Sequence, residues 1–223
     1  MLGTLRLPVI LLLAGNPTTA AGTNIAISAA AAASGSYEHV RARRVHWPTV
    51  AWMGVPSIAG AVVGALGGHL VPEQVLLGVI AAVLAWNGAD LLLRVRPRPA
   101  RRLRRLSAVA SGLFVGVLGG ALGVILGTLR MPALLRLVGL DVRRAVGTNL
   151  VVGFMLGVFG FAAHAVRLEV EWDLLAGGLA GALPGGWLGA RLTGRASELA
   201  LRRGIAAALL AVALAFAVET ALH

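Results

Sequence analysis

Two arginines occupy matching places in apolar stretches of this sequence. Arg6 and Arg130 each lie two residues before a proline, in otherwise apolar segments. An arginine at the centre of a membrane costs about +2.5 to +3.5 kcal/mol on insertion scales, so such a residue usually faces a cavity or a partner. The pair therefore predicts coordination of an anion. Snorkelling of both side chains to the membrane surface is the alternative.

The tripeptide Gly-Thr-Asn occurs twice, at residues 22–24 and 147–149. We expect both copies to open helices, where free backbone N–H groups, the positive end of the helix dipole and side-chain donors can hold an oxyanion. Thr23, Asn24, Thr148 and Asn149 are therefore candidate ligands. Helix capping by Thr or Asn explains the same residues without any substrate.

Two histidines end matching predicted helices, and a tryptophan follows eight residues after each. Imidazole titrates near neutral pH, so His39 and His164 are candidates for proton coupling, with packing at a helix end as the alternative. Trp47 and Trp172 are typical of interfacial anchors. The five His, seven Ser and nine acidic residues contain neither a nucleophile beside a base nor a metal-ligand spacing such as H-E-x-x-H. The sequence predicts no enzyme, metal or cofactor.

The composition predicts an integral membrane protein. The chain has 223 residues, of which 58% are hydrophobic and 13% charged, whereas soluble domains carry about 25% charged residues. All 20 basic residues are Arg, and they cluster between apolar runs. That pattern is typical of cytoplasmic loops and argues against a nucleic-acid-binding face. The absence of Cys excludes thiol nucleophiles, thiolate metal sites and disulfides.

The chain contains an internal repeat. A shift of 124 places residues 1–15 over 125–139 with 9 of 15 identical, and a shift of 125 then aligns the tripeptides, histidines and tryptophans. The repeat predicts two copies of one unit: a first repeat at 1–93, an Arg-rich cytoplasmic linker at 94–106 and a second repeat at 107–223. The same shift aligns two small-xxx-small faces for helix packing, formed by Gly60, Gly64, Gly185 and Gly189.

The two copies carry opposite charge patterns. The loop after the first tripeptide helix is basic, with three Arg at 41–44, whereas the matching loop at 167–173 has three acids and one Arg. Because basic loops stay in the cytoplasm, the copies must have opposite orientations. The predicted fold is an all-α membrane protein, a polytopic helical bundle of two inverted repeats with discontinuous or re-entrant helices and a site near the midplane.

Apolar runs near the ~20 residues that a helix needs to cross a bilayer recur along the chain. The run at 107–139 lies between two Arg clusters, so it must begin and end on the cytoplasmic side as a hairpin or re-entrant broken helix. The first copy lacks a counterpart of 107–124, which predicts a start further upstream. A signal peptide at 1–21 is the alternative, and the repeat argues against it. The predicted spans are 1–15, 20–37, 50–71, 74–93, 107–139, 145–166, 174–192 and 199–222.

One set of motifs is typical of a known family: the glycines of 119–127, Pro132, Ala-Val-Gly-Thr-Asn at 145–149, His164 and Trp172. With these motifs, nearly the whole chain resembles the TauE/SafE sulfite-exporter family of permeases. Ile125 and Leu126 replace the inner glycines of the family pattern, Asn149 replaces its usual Ser, and Arg130 stands where an apolar residue is usual. With Gly127 from this pattern, the predicted substrate-binding residues are Arg6, Arg130, Thr23, Asn24, Thr148, Asn149 and Gly127.

The resemblance implies a multi-pass permease of the cell membrane for sulfite, organosulfonates or related sulfur-containing anions. The expected partners are a small inorganic or organic anion and membrane lipid, with no nucleic acid. A non-transporting membrane subunit or a membrane-embedded enzyme is the alternative. The sequence leaves open which anion moves, in which direction, with which coupling ion, and whether the protein is an oligomer.

Overall fold

The described part of the chain folds into helices, and no strand occurs within it. A computed structural model describes residues 6, 10, 13–15, 17–67, 78, 81–82, 85–86, 88–89, 92, 104–122 and 127–222. The described helices are α1 (Pro17–Arg41), α2 (Trp47–Gly67), α3 (Arg104–Leu122), α4 (Gly127–Pro132, continuing as a π-helical turn Ala133–Leu137), α5 (Val142–Val166), α6 (Trp172–Arg195) and α7 (Glu198–Leu222).

Helices α1 and α5, which carry the two tripeptides, pack against each other in antiparallel directions. Gly22 near the start of α1 lies against His164 at the end of α5, and Gly147 near the start of α5 lies against His39 at the end of α1. A Cβ atom at either glycine would collide with the backbone carbonyl of the connection that follows the partner helix. Glycine is therefore required at both positions for the backbones to approach this closely. Between them, Gly35 contacts Leu150 and Gly160 contacts Ile25.

The same two helices also end in the same way. The amide of Arg44 donates to the carbonyl of His39 (2.8 Å), and the amide of Glu169 donates to the carbonyl of His164 (3.0 Å). These are the six-to-one bonds of Schellman motifs, which need a residue in the left-handed region just before the donor. Neither copy uses the usual glycine there. The residues with positive φ are Arg43 (55°) and Leu168 (56°).

The second helix of each copy packs along the first helix of the other copy. Helix α6 lies along α1, with Gly178 against Ile27 and Gly186 against Ala31. Helix α2 lies along α5 and runs parallel to it, with Gly54 against Val152. Trp47 and Trp172 are the first residues of α2 and α6, and both are exposed. Each copy therefore contacts the other through its second helix as well as its first.

Helix α3 packs against α2 through small residues. Gly60 lies against the backbone of Leu113, and the hydroxyl of Ser57 donates to the carbonyl of Gly112 (3.0 Å). The expected packing role is therefore confirmed for Gly60. Within the described structure it is wrong for Gly185 and Gly189, which have no atom within 4 Å of a Cβ position, because α6 contacts α1 through other glycines. The surroundings of Gly64 lie outside the described residues.

The predicted broken segment 107–139 contains helices on both sides of its glycine-rich middle. Helix α3 begins at Arg104, inside the predicted linker 94–106, and ends at Leu122. Residues 123–126 lie outside the described part. Leu118 of α3, Leu129 of α4 and Leu209 of α7 share one buried core. The two parts of the segment thus contact a common core, and the hairpin remains a prediction.

Of the described helices, α5 is the one whose length and apolar composition suffice to cross a membrane. Shorter apolar runs occur at Trp47–Val63 and Arg105–Gly119. The predicted spans 20–37, 174–192 and 199–222 fall on α1, α6 and α7, helices of 24 or 25 residues in which Ala, Gly, Ser and Arg are frequent. The predicted spans 1–15 and 74–93 lie largely outside the described residues.

Gly60 and Gly185 are repeat-related, so alanine at each tests the packing asymmetry. We expect Gly60→Ala to destabilise the protein by about 1–3 kcal/mol, because the added methyl group overpacks the contact with α3. We expect Gly185→Ala to be neutral or to stabilise by up to about 1 kcal/mol, because alanine favours helix and meets nothing there. Denaturant unfolding of the purified protein in detergent measures both. Equal effects would contradict the asymmetry.

Candidate functional site

Arg130 lies on α4 with its side chain buried, 1% exposed. Its Nε donates to Asn149 Oδ1 on α5 (2.9 Å), and Asn149 Nδ2 donates to the carbonyl of Gly127 (3.0 Å). The three residues therefore form a closed connection between α4 and α5. The guanidinium Nη1 is buried and has no hydrogen-bond partner among the described residues.

Arg6 makes the corresponding contact in the first copy. Its Nε and Nη2 donate to Asn24 Oδ1 (3.2 and 3.0 Å), and Nη2 also donates to Ser28 Oγ (2.9 Å). The side chain is half-buried. Each arginine thus donates to the asparagine of the tripeptide in its own copy, and their role in binding an anion stays a prediction.

The tripeptides do not open helices, contrary to the sequence expectation. Helix α1 begins at Pro17 and α5 at Val142, so each tripeptide starts at the sixth helical residue. Only the first four N–H groups of a helix lack an intrahelical partner, so no free amides point from these positions. The cap of α5 is Asp141, which accepts from the amide of Arg144 (3.0 Å). Capping by Thr148 or Asn149 is therefore wrong as well.

The two threonines instead connect one copy to the other. Thr23 Oγ1 on α1 accepts from the amide of Glu171 (2.8 Å), and Thr148 Oγ1 on α5 accepts from the amide of His46 (3.0 Å). The four residues obey the repeat shift of 125. Both threonines are fully buried. Each hydroxyl therefore satisfies a backbone donor just before the second helix of the opposite copy.

Gly127 keeps the Arg130 site compact. A Cβ atom at this position would lie 3.3 Å from Asn149 Nδ2 and 3.6 Å from Arg130 Nη2. The first distance is tighter than ordinary van der Waals contact, so any side chain would press on the amide. Glycine thus lets the backbone carbonyl accept from Asn149 at short range. Gly127 thus lies beside Arg130 and Asn149, and its role in substrate binding stays a prediction.

The two histidines have different surroundings. His39 is fully buried, and neither ring nitrogen has a partner among the described residues. His164 Nδ1 lies 2.7 Å from Glu169 Oε2, and both side chains are partly exposed. The repeat-equivalent of Glu169 is Arg44. The copies therefore place opposite charges near equivalent imidazoles.

Sequence reasoning missed Ser28 and Glu169. Ser28 lies four residues after Asn24, which puts the two on one helix face, and this spacing could have identified it. Ion pairs within the described part of the chain join Asp141 to Arg144, Glu198 to Arg202 and Glu169 to His164. None of them involves Arg6 or Arg130. The described residues also contain no cluster of three or more His, Asp or Glu that could hold a metal ion.

Large apolar side chains are exposed on every long helix. Examples are Val62 on α2, Phe114 on α3, Phe159 on α5, Leu188 on α6 and Leu214 on α7. Extensive exposed apolar surface marks contact with a membrane or with another protein. Together with the apolar composition and the buried arginine, the fold defines an all-helical protein compatible with a membrane.

Comparison with known families gives the particular class. The family model described as Sulfite exporter TauE/SafE matches residues 2–216 of the 223. The chain belongs to this family, and it is therefore an integral membrane protein of a transporter family. Among curated proteins and among solved structures, none matches the chain.

The two Arg–Asn contacts predict unequal effects of removing the asparagine. We expect Asn149→Ala to cost about 2–3 kcal/mol, because it removes the acceptor of a buried charged donor. We expect Asn24→Ala to cost about 1 kcal/mol, because Arg6 keeps Ser28 and is half-buried. Both changes gain the same helix propensity, so the difference isolates the arginine contact. Denaturant titration in detergent measures it, and a larger loss for Asn24→Ala would refute the assignment.

Proposed function

We propose that the protein is a multi-pass permease of the cytoplasmic membrane for small anions, with sulfite, organosulfonates or related sulfur-containing anions as substrates. Family membership supplies the transporter class. The observation that carries the anion is the buried guanidinium of Arg130, which no described acidic residue neutralises. A buried charge is strongly unfavourable unless it is paired. A transported anion supplies the missing charge.

The proposed site lies where α4 and α5 meet, with the Arg6–Asn24 contact as its counterpart in the first copy. Arg130 and Arg6 contribute positive charge, while Asn149 and Asn24 hold their guanidinium groups through Nε. Gly127 has no side chain, so its backbone can lie close to Asn149. Thr148 and Thr23 accept from the backbone just before α2 and α6. In this assignment the oxyanion is bound by side chains, since the helical amides of the tripeptides are already engaged.

We further propose that residues 1–93 and 107–223 are inverted repeats, joined by a cytoplasmic linker at 94–106. The antiparallel packing of α1 and α5 supports this, because repeat-equivalent helices then cross the same layer in opposite directions. The positions of the charges support it too. Arg44 lies beside Gly194, and Arg143 donates to the carbonyl of Ala196 (2.9 Å). Arg-bearing segments of both copies thus gather at one end, which is the proposed cytoplasmic end.

Transport in this proposal is a rocking of the two repeats around the anion. The moving units meet at the glycine contacts of α1 and α5 and at the reciprocal threonine bonds. His164 is the better supported group for proton coupling, because its Nδ1 can share a proton with Glu169 across 2.7 Å. His39 is its counterpart and lacks a described acid partner.

Uptake into proteoliposomes tests the proposal. We expect selective flux of at least one of labelled sulfite, thiosulfate and sulfoacetate over chloride. Arg130→Gln should reduce this flux about ten-fold or more, because a charge-assisted hydrogen bond is worth about 1.5–3 kcal/mol. Arg203→Gln, at an exposed position on α7, is the matched control and should keep wild-type flux.

Two results would contradict the proposal. Folded wild-type protein that moves no tested anion would favour a non-transporting membrane subunit. If Arg130→Gln keeps the wild-type flux, the guanidinium is not part of the anion site.

A further inference from the structure

The two repeat-related arginines are not equally satisfied by their surroundings. Arg6 Nη2 donates to both Asn24 Oδ1 and Ser28 Oγ. The shift of 125 that aligns Asn24 with Asn149 aligns Ser28 with Gly153. The second copy therefore lacks the hydroxyl that the first copy offers to its arginine.

Gly153 is the repeat counterpart of Ser28. It is a buried residue of α5, four positions after Asn149 and so on the same helix face. Arg130 retains its bond to Asn149 through Nε, but its Nη1 is left without a partner among the described residues. The guanidinium is 1% exposed, so bulk water does not replace the missing acceptor.

Asn149 does not complete the coordination of Arg130. Its Oδ1 accepts from Arg130 Nε, and its Nδ2 donates to the carbonyl of Gly127. Within the described residues, Arg130 Nη1 is left without a partner by this arrangement. Asn149 acts as a positioning residue that fixes the plane of the guanidinium.

A buried donor without an acceptor costs about 1–3 kcal/mol, and more when it is charged. Native proteins satisfy the large majority of such groups, so the exception at Arg130 calls for an explanation. An anion that accepts from Nη1 would satisfy this donor and balance its charge. The half-buried Arg6, by contrast, is already held by two acceptor side chains.

We propose that the anion is bound on one side only, at the guanidinium of Arg130, where Gly153 leaves out the hydroxyl that the first copy offers. In the first copy Ser28 accepts from Arg6, so Arg6 has a structural role. The ligand class is an oxyanion or sulfonate head group. This inference rests on the proposed anion transport and specifies which half of the repeat performs the binding.

Substitutions at Gly153 test the inference. Gly153→Ser introduces the hydroxyl of the first copy, and Gly153→Ala adds the same Cβ without it. We expect the KM for sulfite uptake to rise about ten-fold in Gly153→Ser, which corresponds to one charge-assisted hydrogen bond, and to stay within about two-fold in Gly153→Ala. Arg130→Gln should raise the KM at least as much as Gly153→Ser, and by more than Arg6→Gln does.

A second readout separates binding from transport. Sulfite should raise the unfolding temperature of the wild-type protein and of Gly153→Ala in detergent, because a ligand stabilises the state that binds it. Gly153→Ser should lose this increase while unfolding cooperatively without sulfite. If Gly153→Ser does not fold while Gly153→Ala behaves like the wild type, the KM values of Arg130→Gln and Arg6→Gln decide the test.

The outcomes distinguish the two proposals. Equal KM changes in Arg6→Gln and Arg130→Gln, or a Gly153→Ser variant that behaves like Gly153→Ala, would overturn the one-sided site and leave anion transport standing. Wild-type protein that shows neither flux nor stabilisation with sulfite, thiosulfate or sulfoacetate would overturn the proposed function, and the one-sided site with it.

Discussion

The close approach of α1 and α5 is the contact on which the other helices depend. Each backbone meets the end of the other helix at a glycine, Gly22 or Gly147, where a side chain would collide with a carbonyl. The following threonine then accepts a backbone amide from the opposite copy. Without this acceptor a partly buried amide would lose its partner within the described structure. The starts of α2 and α6 are fixed in this way.

Adjacent residues of one tripeptide therefore perform separate tasks. Successive residues of a helix point about 100° apart, as 3.6 residues per turn requires. Thr148 can face the opposite copy while Asn149 faces α4 and Arg130. The tripeptide thus joins the contact between the copies to the buried charge. A displacement of α5 against α1 would change the threonine bond, because its donor belongs to the opposite copy.

The sequence predicted which residues are equivalent better than what they contact. The repeat shift makes Arg6 equivalent to Arg130 and Asn24 equivalent to Asn149, but it does not predict that each arginine donates to the asparagine of its own copy. The predicted packing contact at Gly185 is wrong, because a packing contact requires a neighbouring helix. Helix α3 packs against α2 at Gly60, but no described helix takes the equivalent place against α6. The predicted helix starts are wrong as well. The first turns of α1 and α5 carry no apolar pattern that separates them from the preceding segment, and only the Asp141 cap marks the start of α5.

The contacts between α1 and α5 are matched between the copies, whereas several other features are not. The approaches at Gly22 and Gly147, the threonine bonds and the helix ends with positive φ occur in matched pairs. The unmatched features include the contact at Gly60, which Gly185 lacks within the described structure, and two pairs of side chains: Ser28 against Gly153, and Arg44 against Glu169. Unmatched side chains at equivalent positions make the electrostatic surroundings of the two arginines and of the two histidines differ. A repeat protein can therefore keep a symmetric framework while its charge chemistry is concentrated in one half.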